Sequence, residues 1–380
     1  MNIGIFTDTY YPEVNGVANS AYELKKGLEK RGHRVYIFTV TNPQVKRNSE
    51  KNVFRIPSVP FIFMRERRLG YPVFRLVKRR IKKLGLDVIH TQTEFSMGHL
   101  GRKMAEYLNI PHIHTYHTIY EDYTHYLKLP GNTGFKSVIR HFSRHCCENA
   151  DAVIVPTEKV ERLLRTYRVD KKIEVIPSGI NLKKFTLPDK DKVQQLKKQY
   201  ALDDKKVLIY IGRISQEKNI AQIIDYFARL AKTDEKAVLV IVGDGPEMSA
   251  LKKQSGHYGL DDRIIFTGMV AWNEIENYYA LGDIFVSAST SETQGLTYAE
   301  ALASGLPLLV RADDCLNNIL ATGVNGVGFK DYDGFADGFA LLIQNKDSAE
   351  YKEKIRSSIL SLAGDEFAKK VEKAYIGILR

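Results

Sequence analysis

Residues 207–219 read Val207-Leu208-Ile209-Tyr210-Ile211-Gly212-Arg213-Ile214-Ser215-Gln216-Glu217-Lys218-Asn219. Five apolar, β-favouring residues run into a glycine, then a short polar loop, then a helix-length stretch. Such a segment is half of a βαβ unit, and the fold depends on whether it repeats. Strand-sized apolar runs recur at 238–242, 264–266, 284–287 and 306–310, with helix-length segments between them. The same alternation starts at 2–6 and continues through a helical stretch at 17–30 that stops at Gly32. Further strands are expected at 33–40, 87–90, 113–115, 152–155 and 173–176. Alternation of this kind, found twice, predicts an α/β protein with two doubly wound parallel sheets, each covered by helices on both faces. The length of 380 residues agrees with two cores rather than one. The stretch 177–191, rich in Lys, Gly, Pro and Asp, is the expected junction.

Composition bounds the function. The chain is 44% hydrophobic and 27% charged, which places it among ordinary globular proteins and not disordered ones. No apolar run is long enough to span a bilayer as a helix, and the 3–6 run is too short for a signal peptide. Cys146, Cys147 and Cys315 suit neither a disulfide framework nor a zinc knuckle, so a reduced, cytoplasmic setting is expected. Charge is uneven: residues 1–200 hold 36 Lys and Arg against 19 Asp and Glu, while the rest hold 20 against 26. The first half therefore either faces an anionic surface or carries a solvated basic face.

In open α/β sheets ligands bind beyond the carboxyl ends of the strands, so the loops there carry the chemistry. The first, Thr7-Asp8-Thr9-Tyr10-Tyr11-Pro12-Glu13-Val14-Asn15-Gly16, has a single glycine before the helix and is a poor dinucleotide fingerprint. Gly16 either lets backbone amides approach a phosphate or sugar, or serves only the turn. The loop after 207–211 offers Arg213 and Lys218, a planar fork and a mobile point charge that together suit a pyrophosphate. A nucleotidase P-loop is missing. The strongest local signal is Ser291-Glu292-Thr293-Gln294-Gly295-Leu296-Thr297-Tyr298-Ala299-Glu300. A helix starting near Gly295 puts Glu300 on its second turn and Glu292 in the loop before it. Carboxylates so placed can accept hydrogen bonds from separate hydroxyl-bearing parts of one elongated ligand, or can simply be solvated.

Taken in order, the Gly212-Arg213…Lys218 loop, Val242-Gly243-Asp244-Gly245-Pro246, Gly268-x-Val270 and Glu292-x7-Glu300 resemble the retaining GT-B glycosyltransferases of family four over essentially the whole chain. The resemblance implies two Rossmann-like domains facing each other across a deep cleft: 1–178, with 365–380 as a returning helix, and 179–364. It implies that Arg213 and Lys218 neutralise a donor pyrophosphate, and that Glu300 holds ribose hydroxyls and Glu292 hexose hydroxyls. Gly16, Gln294, Gly295, Leu296 and Thr297 then line the sugar-phosphate, and Val270 lies near the base. The implied mechanism retains anomeric configuration by attack on the face the diphosphate leaves, with the leaving phosphate taking the acceptor proton. No cofactor beyond the nucleotide sugar is implied. No metal is expected, and Asp331-Tyr332-Asp333 reads as a polar turn.

Two loops of the first half should choose the acceptor. They are 90–98, His90-Thr91-Gln92-Thr93-Glu94-Phe95-Ser96-Met97-Gly98, and 114–126, which starts His114-Thr115-Tyr116-His117. No helical H-x-x-x-H or Cys partner supports zinc there. By the resemblance His117 contacts the transferred sugar, while His114 belongs to the strand. Both segments are similar to the bacterial subgroup that glucosylates diacylglycerol, which, with the 291–298 motif, implies a lipid acceptor; by the resemblance the donor is UDP-glucose, while the residues alone leave glucose, galactose and mannose open.

The stretch 71–84, YPVFRLVKRRIKKL, adds an independent hint. Val73, Phe74, Val77, Ile81 and Leu84 fall within roughly a 100° arc of a helix, and Arg75, Lys78, Arg79, Arg80, Lys82 and Lys83 occupy the rest. The run 61–68, FIFMRERR, adds aromatics and basic charge. This reads as an interfacial helix drawn to anionic lipid or as a domain helix whose stripe packs on the sheet, and the two are not exclusive, since a helix can pack and still present its basic side. The expected protein is thus a peripheral hexosyltransferase at the inner membrane face. A phosphoinositide or soluble sugar acceptor is the alternative. A basic nucleic-acid-binding protein is disfavoured, because no nucleic-acid module is present.

Overall fold

The computed structural model describes residues 1–13, 15–43, 45, 50–61, 64–121 and 132–379; for 64–67 and 132–135 the description is of the backbone. The chain divides into two compact units, Met1–Ile180 with Gly364–Arg380, and Asn181–Ala363. The expected boundary fell two residues earlier, at 178/179, and the division lies inside the 177–191 stretch.

The first unit contains, in chain order, β1 (Asn2–Phe6), α1 (Gly16–Lys30), β2 (Arg34–Val40), β3 (Val53–Ile56), β4 (Ser58–Phe61), β5 (Met64–Gly70) and α2 (Phe74–Lys82). It continues with β6 (Val88–Thr91), α3 (Ser96–Leu108), β7 (His112–Thr115), α4 (Asn132–Glu148), β8 (Ala152–Val155), α5 (Glu158–Thr166) and β9 (Ile173–Val175). Seven strands form one sheet in the order β3-β2-β1-β6-β7-β8-β9, parallel throughout. Strands β4 and β5 form a separate antiparallel hairpin.

The second unit contains α6 (Leu182–Thr186), α7 (Lys190–Gln199), β10 (Lys206–Ile211), α8 (Ile220–Leu230), β11 (Ala237–Val242), α9 (Met248–His257) and β12 (Ile264–Gly268). Then come α10 (Ile275–Tyr279), β13 (Ile284–Ser287), α11 (Leu296–Ala303), β14 (Leu308–Arg311), β15 (Gly326–Phe329), α12 (Tyr332–Ile343) and α13 (Ala349–Ser357). Its parallel sheet runs β12-β11-β10-β13-β14-β15, the 3-2-1-4-5-6 order of a Rossmann domain. The last helix, α14 (Gly364–Leu379), belongs to the first unit and packs on α1.

Each strand is an apolar run because parallel sheets are covered on both faces, and β11 is buried at every position. In the first unit Ile3, Ile5, Leu24 and Val371 fill one face of the sheet, and Phe6, Phe38, Ile89 and Met104 the other. In the second, Leu208, Ile224, Phe227, Leu239 and Phe335 share one cluster. Helix starts follow local chemistry: Asn15 Oδ1 accepts from the Ala18 amide at 3.0 Å to open α1. Asp331 does the same for α12 through the Gly334 amide at 2.9 Å, so the Asp331–Asp333 stretch is a helix cap rather than the expected turn.

Strands β3 and β15 and the hairpin were not expected. Gly326-Val327-Gly328-Phe329 has poor strand propensity, yet a Cβ on Gly326 would lie 2.4 Å from the Leu308 carbonyl oxygen. Close strand approach requires glycine there and hides the strand from a propensity reading.

Candidate functional site

In each unit the strand order reverses beside the first strand, between β10 and β13 and between β1 and β6. The loops leaving these strands flank the switch points at which α/β sheets bind ligands.

In the second unit, the loop after β10 is held from behind by the loop after β11. Gly212 N donates to the Val242 oxygen at 3.0 Å, Ile214 N to the Asp244 oxygen at 2.9 Å, and Glu247 N to the Ile214 oxygen at 3.2 Å. A Cβ on Gly243 would sit 1.9 Å from the Gly212 oxygen, and one on Gly245 would sit 2.1 Å from the Ile214 oxygen. The Gly243-Asp244-Gly245 sequence thus serves close backbone approach, and its product is a fixed seat for Arg213. Lys218 ends a single 3₁₀ turn, Gln216–Lys218, ahead of α8. Its Nζ lies 2.5 Å from Glu292 Oε1, with 18% and 16% of the two side chains exposed. Ser291 Oγ donates to the Glu217 oxygen at 3.4 Å, so the loops after β10 and β13 are joined twice. Lys218 and Glu292, expected to serve different parts of a ligand, are brought into contact with each other.

Gly295 caps α11 at φ 72°, directly over the Tyr298 ring, where a Cβ would fall 2.4 Å from Tyr298 Cδ2. The cap leads into a helix whose fifth residue is Glu300. Glu300 is buried, and its Oε2 accepts from the Tyr279 hydroxyl at 2.7 Å. Burial pushes the Glu300 carboxyl up to about 7; the Tyr279 hydrogen bond and the Lys184 charge pull the other way. Lys184, on α6, donates to the Trp272 carbonyl, lies 3.6 Å from Glu276 Oε2 and sits 3.1 Å from the Trp272 ring centroid. Val270 and Trp272 belong to the loop after β12, so α6 braces that loop while its charge acts on Glu300. Gln294 is buried; Leu296, Thr297, Val270 and Arg213 are half-buried.

In the first unit Gly16 is the exposed first residue of α1. The β1–α1 loop is pinned by Asp8, which accepts from Thr93 Oγ1 at 2.6 Å, the Met97 amide at 3.0 Å and the Ser96 hydroxyl. His114 lies in β7, with Nε2 3.4 Å from Oε1 of the buried carboxylate of Glu94, whose other oxygen accepts from Tyr120. His117 follows the strand, and its Nε2 meets Gln92 Oε1 at 2.7 Å. Burial, with the His114 ring behind it, pushes His117 down to about 3, so its ring is neutral. Residues 122–126 of the second acceptor segment lie outside the described residues. Tyr279 and Lys184 escaped the sequence reading, and Gln92 was read only as part of the 90–98 segment: all three act on other side chains, and no local spacing marks that role.

The basic stretch resolves into a shorter helix than expected. Ile81 is buried, and Val73, Phe74, Val77 and Leu84 pack against the same cluster as Phe6 and Met104. The apolar stripe therefore belongs to the domain core. Arg75, Arg79, Arg80, Lys82 and Lys83 remain exposed, whereas Lys78 is half-buried near the Phe74 and Tyr107 rings. Leu76, outside the stripe, is 81% exposed among them. Of the upstream run, Ile62 and Phe63 lie outside the described residues. Among the described residues, no helix is long and apolar enough to cross a membrane.

These features coincide with known sequences. Residues 14–184 match the family described as Glycosyltransferase Family 4, and residues 192–358 match Glycosyl transferases group 1. The chain belongs to glycosyltransferase family 4 and has its GT-B fold. It is 42% identical over 380 residues to the alpha-monoglucosyldiacylglycerol synthase of Streptococcus pneumoniae, covering 99% of this chain and 86% of that one. It is 34% identical to the enzyme of the same name from Acholeplasma laidlawii, covering 100% and 98%. Among solved structures, Anabaena HepE in complex with UDP-glucose superposes with a TM-score of 0.78 at 16% identity, over 99% and 100% of the two chains.

Proposed function

We propose that the protein transfers glucose from UDP-glucose to diacylglycerol, with retention, at the cytoplasmic face of the membrane. The observation that carries the donor half is the Lys218–Glu292 pair at the switch point of the second unit, with Glu300 buried on the following helix. A cation and a carboxylate held together are preorganised: the donor exchanges their mutual contact for phosphate on Lys218 and hexose hydroxyls on Glu292. Glu300 accepts from the ribose hydroxyls. Arg213 and Lys218 stabilise the charge that develops on the departing diphosphate, which is electrostatic preorganisation. The acceptor hydroxyl attacks the anomeric carbon on the face the diphosphate leaves, and its proton passes to that diphosphate. His117 contacts the transferred hexose, with Gly16, Gln294, Gly295, Leu296 and Thr297 lining the sugar-phosphate and Val270 near the base.

The names of the two synthases support the lipid acceptor, and their alpha product agrees with retention from an α-linked donor. The exposed basic side of α2, carrying Leu76, supports a peripheral seat on anionic lipid. The test is transfer of label from UDP-glucose, UDP-galactose or GDP-mannose to diacylglycerol, phosphatidylinositol or soluble sugars. Glucosyl-diacylglycerol with a small anomeric proton coupling is expected, and a different preferred acceptor would refute the lipid reading. Glu292→Ala and Arg213→Ala should each lower turnover by about 10²–10³-fold with the fold intact; near-normal rates in both would refute the donor site.

A further inference from the structure

Beneath His117 the first unit contains a chain of four hydrogen-bonding side chains. Tyr375 Oη lies 2.7 Å from His90 Nδ1. Gln92 Nε2 lies 3.0 Å from His90 Nε2, and Thr115 Oγ1 lies 2.6 Å from that same nitrogen. Gln92 Oε1 lies 2.7 Å from His117 Nε2. Tyr375 and His90 are fully buried, Gln92 is 1% exposed and Thr115 4%. No link below His117 can therefore be exchanged for bulk water, and each must be satisfied by its neighbour.

The chain has a direction. An amide nitrogen only donates and an amide oxygen only accepts. Gln92 donates to His90 Nε2, so that nitrogen offers a lone pair and His90 carries its proton on Nδ1, facing the Tyr375 oxygen. Thr115 Oγ1, 2.6 Å away, shares that lone pair with Gln92 as a second, competing donor. At the other end Gln92 Oε1 can only accept, so His117 Nε2 must donate. A neutral imidazole has one N–H, and burial keeps both rings neutral by pushing His117 down to about 3 and His90 well below the usual range. The proton of His117 is thereby committed to Gln92, and Nδ1 is left with a lone pair.

We propose that Gln92 is a positioning residue that locks His117 in the Nε2–H tautomer, so that His117 meets the transferred hexose through Nδ1 as an acceptor for a sugar hydroxyl. The proposal rests on the reading that His117 contacts the hexose. It assigns that contact a sign: His117 recognises a hydroxyl proton and adds no positive charge at the leaving phosphate, which is left to Arg213 and Lys218. It also gives α14 a role beyond packing, since Tyr375 closes the chain at its buried end.

The test uses the full chain labelled with ¹⁵N-histidine, with the His117 signals identified by their loss in His117→Ala. Two-bond ¹⁵N–¹H correlations at neutral pH should show His117 protonated on Nε2 and His90 on Nδ1. In Gln92→Glu both side-chain oxygens accept, so His90 should switch to Nε2–H while His117 keeps its tautomer. His117 protonated on Nδ1 in the native protein, or His90 unchanged in Gln92→Glu, overturns the lock. In kinetics, Gln92→Met and His117→Ala should each reduce kcat/KM on the order of tenfold, and the double variant should be no worse than His117→Ala. If the tautomers are as expected but His117→Ala keeps native KM and kcat, the lock stands alone. The sugar-contact reading, and with it the role given to Gln92, is then overturned.

Discussion

Donor affinity should follow the ionisation of Glu300. In its proposed role the carboxylate form would accept hydrogen bonds from ribose hydroxyls, and the protonated form would surrender one oxygen as a donor. With the carboxyl pushed up to about 7 by burial, the ionised fraction is about nine-tenths at pH 8 and about one-tenth at pH 6. Apparent donor affinity scales with the competent fraction, so the donor KM should rise roughly tenfold between those limits. Tyr279→Phe removes the hydrogen bond that favours the charged form. Such a bond is worth about 1.5–3 kcal/mol, or about one to two pH units, so the inflection should move to about 8–9. Stability should respond with the opposite sign. The folded carboxyl binds its proton more tightly than the unfolded one at 4.5, so this contribution is complete below about 4.5 and is lost as pH rises through about 7. It amounts to about 3 kcal/mol at most. Ligand-free Tm should therefore fall across the window in which donor binding tightens. Donor KM at saturating acceptor and Tm by calorimetry, both from about pH 5.5 to 8.5, measure the two arms. A flat KM, or a Tyr279→Phe profile identical to the native one, would refute the role of Glu300.

Two further outcomes follow from packing and charge. Gly243→Ala places a methyl 1.9 Å from the Gly212 oxygen at φ 138°, so it should destabilise by more than about 2 kcal/mol and displace the Arg213 loop. Gly377→Ala, with nothing near its Cβ, is the control and should be neutral or stabilising in denaturant titrations. Removing charge at Arg79, Arg80, Lys82 and Lys83 should weaken sedimentation with anionic vesicles by about 1 kcal/mol per residue and flatten its salt dependence. Leu76→Ser should weaken it further, and unchanged binding in both variants would count against a membrane role for α2.

The fold was legible where burial makes strands apolar on both faces, as along β10, β11 and β13. It was illegible where close approach demands glycine, as in β15, or where the element is a short edge strand or hairpin, as in β3 to β5. Candidate ligand groups were legible because Arg213, Lys218 and Glu292 sit in loops at strand ends and Glu300 on the helix that follows, in the order the family resemblance carries. Their mutual contacts were not. Lys218 and Glu292 are 74 residues apart and meet only because β10 and β13 are neighbours in the sheet, an adjacency that strand order decides. Tyr279 and Gln92 leave even less trace, since each serves another side chain.

The basic helix shows a different limit. Helical periodicity finds an apolar stripe, but a stripe looks the same whether it meets a core or a lipid. Here Ile81 is buried in the core and Val73, Phe74, Val77 and Leu84 pack against it partly buried, so the stripe is accounted for by the domain without a membrane. Among the described residues of α2, the exposed apolar side chain is Leu76, which periodicity assigns to the polar face and so discards. Leu76 shares the exposed side of α2 with Arg75, Arg79 and Arg80, so the vesicle experiment on Leu76 and on the charges is the measurement that decides a membrane seat. Insertion below anionic headgroups would bury Leu76 beside the charges that attract them.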